Sequence, residues 1–455
     1  MKNNIENKIS NTLFQLAQCF PQKYPLYIVG GFVRDCILGN NASLTDVDLA
    51  CALNPQELKE LLKDSEFNVI PNSEKLGTML IRNSKTKEGF EYTAFRTDSY
   101  PVDSGKHSPD EVLFTKDIVL DAKRRDFKCN AVYFDIKNGE IIDPLNGIKD
   151  IENKILDCVI EPEETLSQDG LRILRLIRFQ STLGFEISQR TFYAAMKMIN
   201  RLQDIKVERI QVELKKILNG DYCFEALQNM QKIGALKIII PELDKNQNVP
   251  QNSSYHKYDV LTHTFHCVKN CPKEVRLAAL FHDIDKATCL YSDGNMHMHP
   301  YLGEKTTEEV MTRLKFSKEE IKKTSILVKT HMYNGDGQAK RNKLRKFIVT
   351  YNKYLDDILK LKKADIQATG YERGYEIESD PLYIEREQMK KENIPFELKE
   401  LAINGSDLKN LGYSGRQIGE KLKEIFDKCL YGILKNNKED ILNFINGGKR
   451  RNKNG

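Results

Sequence analysis

A change of periodicity divides this chain and constrains its fold more than any other feature. Up to about residue 158, short apolar stretches are separated by turns and charged residues. Leu26-Tyr27-Ile28-Val29 runs into Gly30-Gly31, and Val47-Asp48-Leu49-Ala50 reads as a second strand. Gly89 to Phe95 alternates as a third strand and Ala131 to Asp135 as a fourth, with a helix expected from Pro55 to Lys63. From about Ser167 apolar residues recur at helix spacing instead, as in Leu171-Arg172-Ile173-Leu174-Arg175-Leu176-Ile177-Arg178-Phe179. Strand-like alternation is scarce from there on. The expected class is α+β, a small mixed α/β head followed by an all-helical remainder.

The length of 455 residues suits about three domains. No apolar run is long enough to span a bilayer. The start, Met1-Lys2-Asn3-Asn4-Ile5-Glu6, does not lead into a signal-peptide core, so a cytoplasmic protein is expected. Ten cysteines without a CxxC pair read as reduced, mostly buried thiols. Cys267 and Cys271 lie one helical turn apart but lack the second pair a metal site would need. The formal charge of +5 permits a polyanionic partner, yet 70 basic residues stand against 65 acidic ones. Any basic surface must therefore be local.

The residues that carry chemistry cluster in the first part. In Thr45-Asp46-Val47-Asp48 two carboxylates stand at i and i+2, on one face of a strand, where they can hold divalent ions. About a dozen residues earlier, Gly30-Gly31-Phe32-Val33-Arg34-Asp35 follows a strand. A glycine pair lets backbone amides approach phosphate, and Arg34 adds charge. Glu91 falls on another expected strand and can complete the carboxylate set; a strand-end surface residue fits its pattern too. Arg124-Arg125 offers two guanidinium forks suited to a triphosphate or an acceptor backbone. Asp126 and Asn130 bind ribose hydroxyls or buttress those arginines. Gln168-Asp169-Gly170-Leu171-Arg172 opens the first long helix. Asp169 and Arg172, three apart, can present an acceptor and a donor to a base edge. An intrahelical ion pair has the same spacing.

The ordered motifs GGFVRD, DVDLA, EYTAFR, RRDFKCNA, IIDP and DGLRILRLIRF strongly resemble the bacterial tRNA nucleotidyltransferase and poly(A) polymerase family. Within it they most resemble the CCA-adding branch. The likeness is dense in the head and neck. It resumes at Asn404-Gly405-Ser406-Asp407-Leu408-Lys409-Asn410-Leu411-Gly412-Tyr413, followed by Gly415, Ile418 and Gly419. The resemblance implies a nucleotidyltransferase-type head (1–158), a helical neck (159–240), an HD-like helical body (241–375) and a helical tRNA-binding tail (376–455).

It also implies roles. Gly30, Gly31 and Arg34 hold the nucleotide phosphates. Asp46 and Asp48 carry Mg²⁺, with Glu91 the candidate third carboxylate from its strand position. Arg124, Arg125, Asp126 and Asn130 contact the nucleotide. Asp169 and Arg172, with Arg175 beside them, act as a protein template that accepts CTP and then ATP. The partner implied is the tRNA acceptor arm; nothing calls for a membrane or an obligatory protein partner. Two positions depart from the family pattern. Gln168 stands where a glutamate is usual and can orient its neighbour by hydrogen bonding. Lys128 replaces a threonine and adds positive charge near the site. The polar, turn-rich stretch from Thr97 to Asp110 matches a loop that the family needs for adding the final A, and it is full length.

A second constellation resembles an HD domain. His263, His282, Asp283 and Asp365 match its metal-ligand pattern, which implies a second divalent ion. Asp285 replaces a usual glycine, and Gly303 stands where another histidine is common; His299 and His331 are available instead. Glu208-Arg209-Ile210 with Glu213 resembles a neck motif whose charges brace helices. Lys340, Arg341, Lys343, Arg345 and Lys346 make a basic cluster, either against phosphate or on a solvated helix face. Lys449-Arg450-Arg451-Asn452-Lys453 is a solvated tail or a weak nucleic-acid contact. Three other products of the same residues stay open: poly(A) tails, partial CC or A addition, and hydrolysis of RNA-end phosphates at the HD region.

Overall fold

The computed structural model describes residues 2–40, 47–100, 110–335 and 337–451. The chain forms two compact units, Met1–Asp244 and Lys245–Gly455. No described helix is long and apolar enough to cross a membrane.

The first unit is built on one mixed sheet. Its strands are β1 (Tyr27–Val29), β2 (Asp48–Cys51), β3 (Phe67–Ser73), β4 (Thr78–Asn83) and β5 (Gly89–Ala94). After the hairpin of β6 (Arg96–Ser99) and β7 (Glu111–Phe114) come β8 (Tyr133–Asp135) and β9 (Glu140–Ile142). The order in the seven-stranded sheet is β3-β4-β5-β2-β1-β8-β9, with β2 and β5 parallel and the other neighbours antiparallel. The four expected strands are β1, β2, β5 and β8, the sheet's centre. Three more, β3, β4 and β9, extend it at both sides. β3 is an edge strand whose ladder shifts register between Pro71 and Ser73, as proline requires there. The expected helix is present at Pro55–Leu62, started by an Asn54/Glu57 capping box.

One face of the sheet is sealed by a core in which Val29, Ala50, Phe95 and Tyr133 are buried together. The Tyr27 and Phe95 rings stack at 5.8 Å, and Tyr133 meets both edge-on. Beyond a short parallel pair, β10 (Ile155–Leu156) with β11 (Glu186–Ile187), the rest of this unit is helical. The helices Leu171–Leu183 and Val207–Asn219 pack closely: Ser181 Oγ donates to the Ile217 carbonyl at 2.6 Å.

The second unit is all helical among its described residues. Val260–Asn270 packs against Leu355–Ala368, and His299–Arg313 against Lys318–Thr330. Further along, Arg341–Thr350 packs on Pro381–Lys391, followed by Arg416–Leu430 and Lys438–Arg451. The Asn404–Asp407 signature is a helix start: the Asn404 side chain accepts from the Ser406 and Asp407 amides, and Asp407 reciprocates on the Asn404 amide. All ten cysteines are free, and nine are buried.

Candidate functional site

In the first unit a cavity of about 810 Å³ gathers the motif residues. Gly30, Gly31, Arg34, Asp48, Arg124, Arg125, Asp126, Asn130, Asp169, Arg172 and Arg175 all line it. Among the described residues, nine arginine and lysine side chains face five carboxylates there, a surplus suited to a polyphosphate. Asp46 lies outside the described residues, as do Pro101–Pro109 of the loop that follows β6; Asn452 and Lys453 of the tail do so too.

β1 ends at the cavity floor. Gly30 has φ 87°, and a side chain there would put its Cβ 3.4 Å from Asp48 Oδ2. Asp48 opens β2 and is exposed. Its register partner on the parallel neighbour β5 is Glu91, also exposed. In-register residues of parallel strands point to the same face, so the two carboxylates stand side by side although Glu91 is not part of the cavity lining. This all-oxygen pair fits a hard divalent ion such as Mg²⁺.

The arginine pair is organised by a residue that its own motif does not contain. Asp121, fully buried, accepts from Arg124 Nε at 2.8 Å and from Arg125 Nη2 at 3.1 Å. It also accepts from the Tyr133 hydroxyl at 2.7 Å. Burial works to raise the Asp121 pKa, and the two guanidiniums outweigh it and lower it. Asp126 and Asn130 engage other arginines than this pair. Asp126 is bound by both Nε and Nη2 of Arg175, and Arg34 Nη1 donates to Asn130 Oδ1 at 2.6 Å. Despite its burial, Asp126 is brought down to about 2 by Arg175 and Arg172. Phe179 completes the frame, with the guanidiniums of Arg34, Arg175 and Arg178 4.3–5.5 Å from its ring centre.

The first long helix was expected to open at Gln168, but Gln168 closes a separate, preceding helix. Pro162–Gln168 ends, Asp169 takes an extended backbone, and the next helix begins at Leu171. Asp169 and Arg172 thus do not share one helical face. Asp169 pairs with Arg209 Nη2 at 3.0 Å. Arg172 donates to Gln168 Oε1 at 2.8 Å, to the Thr165 carbonyl at 2.9 Å and to the Arg124 carbonyl at 2.6 Å. Gln168 therefore orients Arg172 through a neutral amide. Lys128 does not add free charge to the site, because Asp157 holds it at 2.7 Å. In the neck motif, Arg209 meets Asp169 and Glu213 meets Arg178 at 3.4 Å.

In the second unit, His263, His282, Asp283 and Asp365 converge. His263 Nε2 lies 2.9 Å from Asp365 Oδ1, and His282 Nε2 lies 3.1 Å from Asp283 Oδ2. His282 is raised to about 10: burial opposes this, and the carboxylates of Asp283 and Asp365 prevail. Neither oxygen of Asp283 has a well-directed hydrogen bond although it is buried, which suits a cation ligand. The basic cluster is split. Arg341 and the buried Arg345 are engaged by Glu385 and Glu392, while Lys340, Lys343 and Lys346 are exposed.

Residues 26–157 match the poly(A) polymerase head domain. Residues 184–247 match the probable RNA and SrmB-binding site of polymerase A, and residues 297–445 a putative tRNA nucleotidyltransferase domain 2. The chain is 35% identical to the CCA-adding enzyme of Staphylococcus saprophyticus over 51% of its own length and 56% of that enzyme. It is 37% identical to that of Lactococcus lactis over 50% and 55%. It thus spans little more than half the length of these two. To the CCA-adding enzyme of Staphylococcus epidermidis it is 27% identical over 96% of its own length and 98% of that protein. The fold is that of the Bacillus stearothermophilus CCA-adding enzyme in complex with CTP, with TM-score 0.64, 24% identity and coverage of 97% and 98%. The Thermotoga maritima CCA-adding enzyme complexed with tRNA(CCA) gives TM-score 0.61, 19% identity and coverage of 98% of each chain.

Proposed function

We propose that this chain, which belongs to the tRNA nucleotidyltransferase and poly(A) polymerase family, adds C, C and A to the 3′ end of tRNA from CTP and ATP, in the cytoplasm and without a nucleic-acid template. The observation that carries this reading is the arginine-rich cavity of the first unit, with Asp48 at one side and Asp169 and Arg172 in the same lining. Relatives that bear the name CCA-adding enzyme, one of them matched over almost its whole length, support it.

In this reading the 3′-hydroxyl of tRNA attacks the α-phosphorus of the bound nucleotide. A P–O bond forms, the bond to pyrophosphate breaks, and the hydroxyl proton passes to solvent. Gly30 and Gly31 let the backbone approach the phosphates, and Arg34, Arg124 and Arg125 neutralise them. Asp121 and Asn130 hold those guanidiniums in place before substrate arrives. Asp46, Asp48 and Glu91 would hold Mg²⁺; such ions supply activation of the hydroxyl and charge stabilisation on pyrophosphate. Asp169 and Arg172 would face the base edge, with Arg209 and Gln168 fixing their orientation. Arg175 and Phe179 stiffen the wall on which they stand. Exposed lysines of the second unit, Lys340, Lys343 and Lys346, offer charge to the phosphates of the acceptor arm.

The test offers a tRNA ending at the discriminator base with CTP alone, ATP alone, and both, with products resolved to one nucleotide. Growth by two with CTP and by three with both is expected. Growth that stops at two would make the enzyme a CC adder, and a long A ladder from ATP alone would make it a polymerase.

A further inference from the structure

The last part of the second unit encloses a cavity of about 550 Å³ that nucleotide transfer does not call for. Three segments wall it. They are the start of the helix Arg341–Thr350, the stretch from Glu392 to Ile394 after the helix Pro381–Lys391, and the turn from Tyr431 to Asn437 after the helix Arg416–Leu430. Its volume lies in the range of pockets that take small ligands.

The walls are tied to one another through buried polar groups. Arg345, only 2% exposed, donates from Nη1 to the Leu430 carbonyl at 3.0 Å, from Nε to Glu385 at 2.5 Å and from Nη2 to Glu392 at 2.5 Å. Asn393 Nδ2 donates to the Asn436 carbonyl at 3.0 Å. The buried Asn436 side chain accepts from the Ala402 amide at 2.8 Å and donates to the Glu400 carbonyl at 3.0 Å. Buried ion pairs add little stability over packed apolar side chains. What they do here is hold a polar space open in a fixed shape.

The lining combines three chemistries. Half-buried Tyr431 supplies a flat ring, with Ile394 and Leu434 as aliphatic neighbours. Asn342, exposed, offers an amide that can pair with a base edge. Arg341 and Lys435, both exposed, offer positive charge. The lining acid Glu392 is already engaged, by Arg341 Nη2 at 2.6 Å and by Arg345. Arg341 also gives Nε to Glu385 at 2.9 Å, which leaves Nη1 for a ligand. Ring, amide and cation together match a nucleotide. We propose that this cavity seats one unpaired nucleotide of bound RNA, with its base on Tyr431, its edge toward Asn342 and its phosphate at Arg341 and Lys435. Lys346 favours an RNA residue over a free nucleotide. It is exposed one turn beyond Asn342 on the same helix face, where a continuing strand would meet it. Unpaired bases on aromatic side chains are the usual basis of selective RNA binding. The proposal rests on the reading of this chain as a tRNA-binding enzyme, and it adds a contact that a paired acceptor stem cannot make.

The test titrates the full chain with intact tRNA and with a two-strand duplex that carries the acceptor stem alone. Tyr431→Leu keeps the bulk and removes the flat ring. It and Asn342→Ala are each expected to raise Kd for intact tRNA about tenfold and to leave Kd for the duplex unchanged. Tyr431→Phe should bind as the wild type does, and ultraviolet irradiation of the wild-type complex should join Tyr431 to an unpaired nucleotide. Wild-type affinity of both Tyr431→Leu and Asn342→Ala for intact tRNA would overturn the proposal; Asn342 is exposed, so its variant decides the matter even where Tyr431→Leu fails to fold. Loss of one bound AMP per chain in these variants, with tRNA affinity intact, would assign the cavity to a free nucleotide and overturn it as well. A wild type that binds neither RNA would instead contradict the tRNA reading itself, a result that the variants do not mimic.

Discussion

At the scale of single residues, the site depends on side chains that hold other side chains. Asp121 is the clearest case, since one buried carboxylate restrains Arg124, Arg125 and Tyr133. Asp121→Ala leaves two guanidiniums without their counter-charge, a change that costs about 3–5 kcal/mol when the partners are buried. Urea unfolding should show that loss, and kcat/KM for CTP should fall on the order of 10²-fold because the phosphate-binding forks are misplaced. Asp126 makes a pH prediction. Its folded pKa of about 2 lies below the unfolded value, so its pairing with Arg175 stabilises the protein fully above about pH 4. That contribution, about 2 kcal/mol, is lost as pH falls from about 4 to about 2. Acid unfolding of Asp126→Asn should lack this component. The motif residues were legible in the sequence because each sits in a contiguous run of glycine, acid or arginine. Asp121 was not, and the partners of Phe179 and Arg209, though both residues lie in recognisable motifs, were not either, because only the fold brings those partners near. Arg209 meets Asp169 from 40 positions away.

At the scale of elements, the strands that carry the candidate catalytic carboxylates were legible because buried central strands are short and apolar. β3 escaped notice because Pro71 and its polar neighbours break alternation, which an edge strand tolerates. The start of the long helix at Leu171 was not legible. Continuous apolar periodicity gives no sign of the extended residue that separates Gln168 from Leu171. The two helices on which Arg178 and Glu213 meet touch at a small-residue contact. A Cβ on Gly220 would stand 2.1 Å from Ser181 Oγ and 2.3 Å from the Ser181 carbonyl oxygen. Gly220→Ala should therefore separate Ser181 from Ile217 and cost about 1–3 kcal/mol, as overpacking generally does. Its thermal midpoint should fall, and KM for both nucleotides should rise together, because Arg209 is carried on the displaced helix.

At the scale of the whole molecule, the α+β class was legible from the change in periodicity alone: the mixed sheet ends at β9, and helices dominate thereafter. The two histidine pairs around Asp283 were legible only in part. The quartet keeps a familiar spacing, whereas His299 and His331 are brought to Asp283 from two further helix ends. With a net charge of +5 on 455 residues, the proposed binding of tRNA would rest on local cations such as the exposed Lys340, Lys343 and Lys346. Binding of tRNA should weaken steeply with salt, log Kd changing by about 0.7–0.9 per phosphate contact for each tenfold rise in salt. A fluorescence titration at several salt concentrations measures the slope; a flat line would mean that phosphate contacts do not carry the affinity. The proposed function places nucleotide transfer in the arginine-lined cavity beside Asp48. Its most direct test is the stepwise extension of a tRNA ending at the discriminator base, comparing wild type with Asp48→Ala at saturating CTP and ATP. The wild type should complete three additions while Asp48→Ala, folded and still binding CTP, makes none; extension by Asp48→Ala at the wild-type rate would contradict the account.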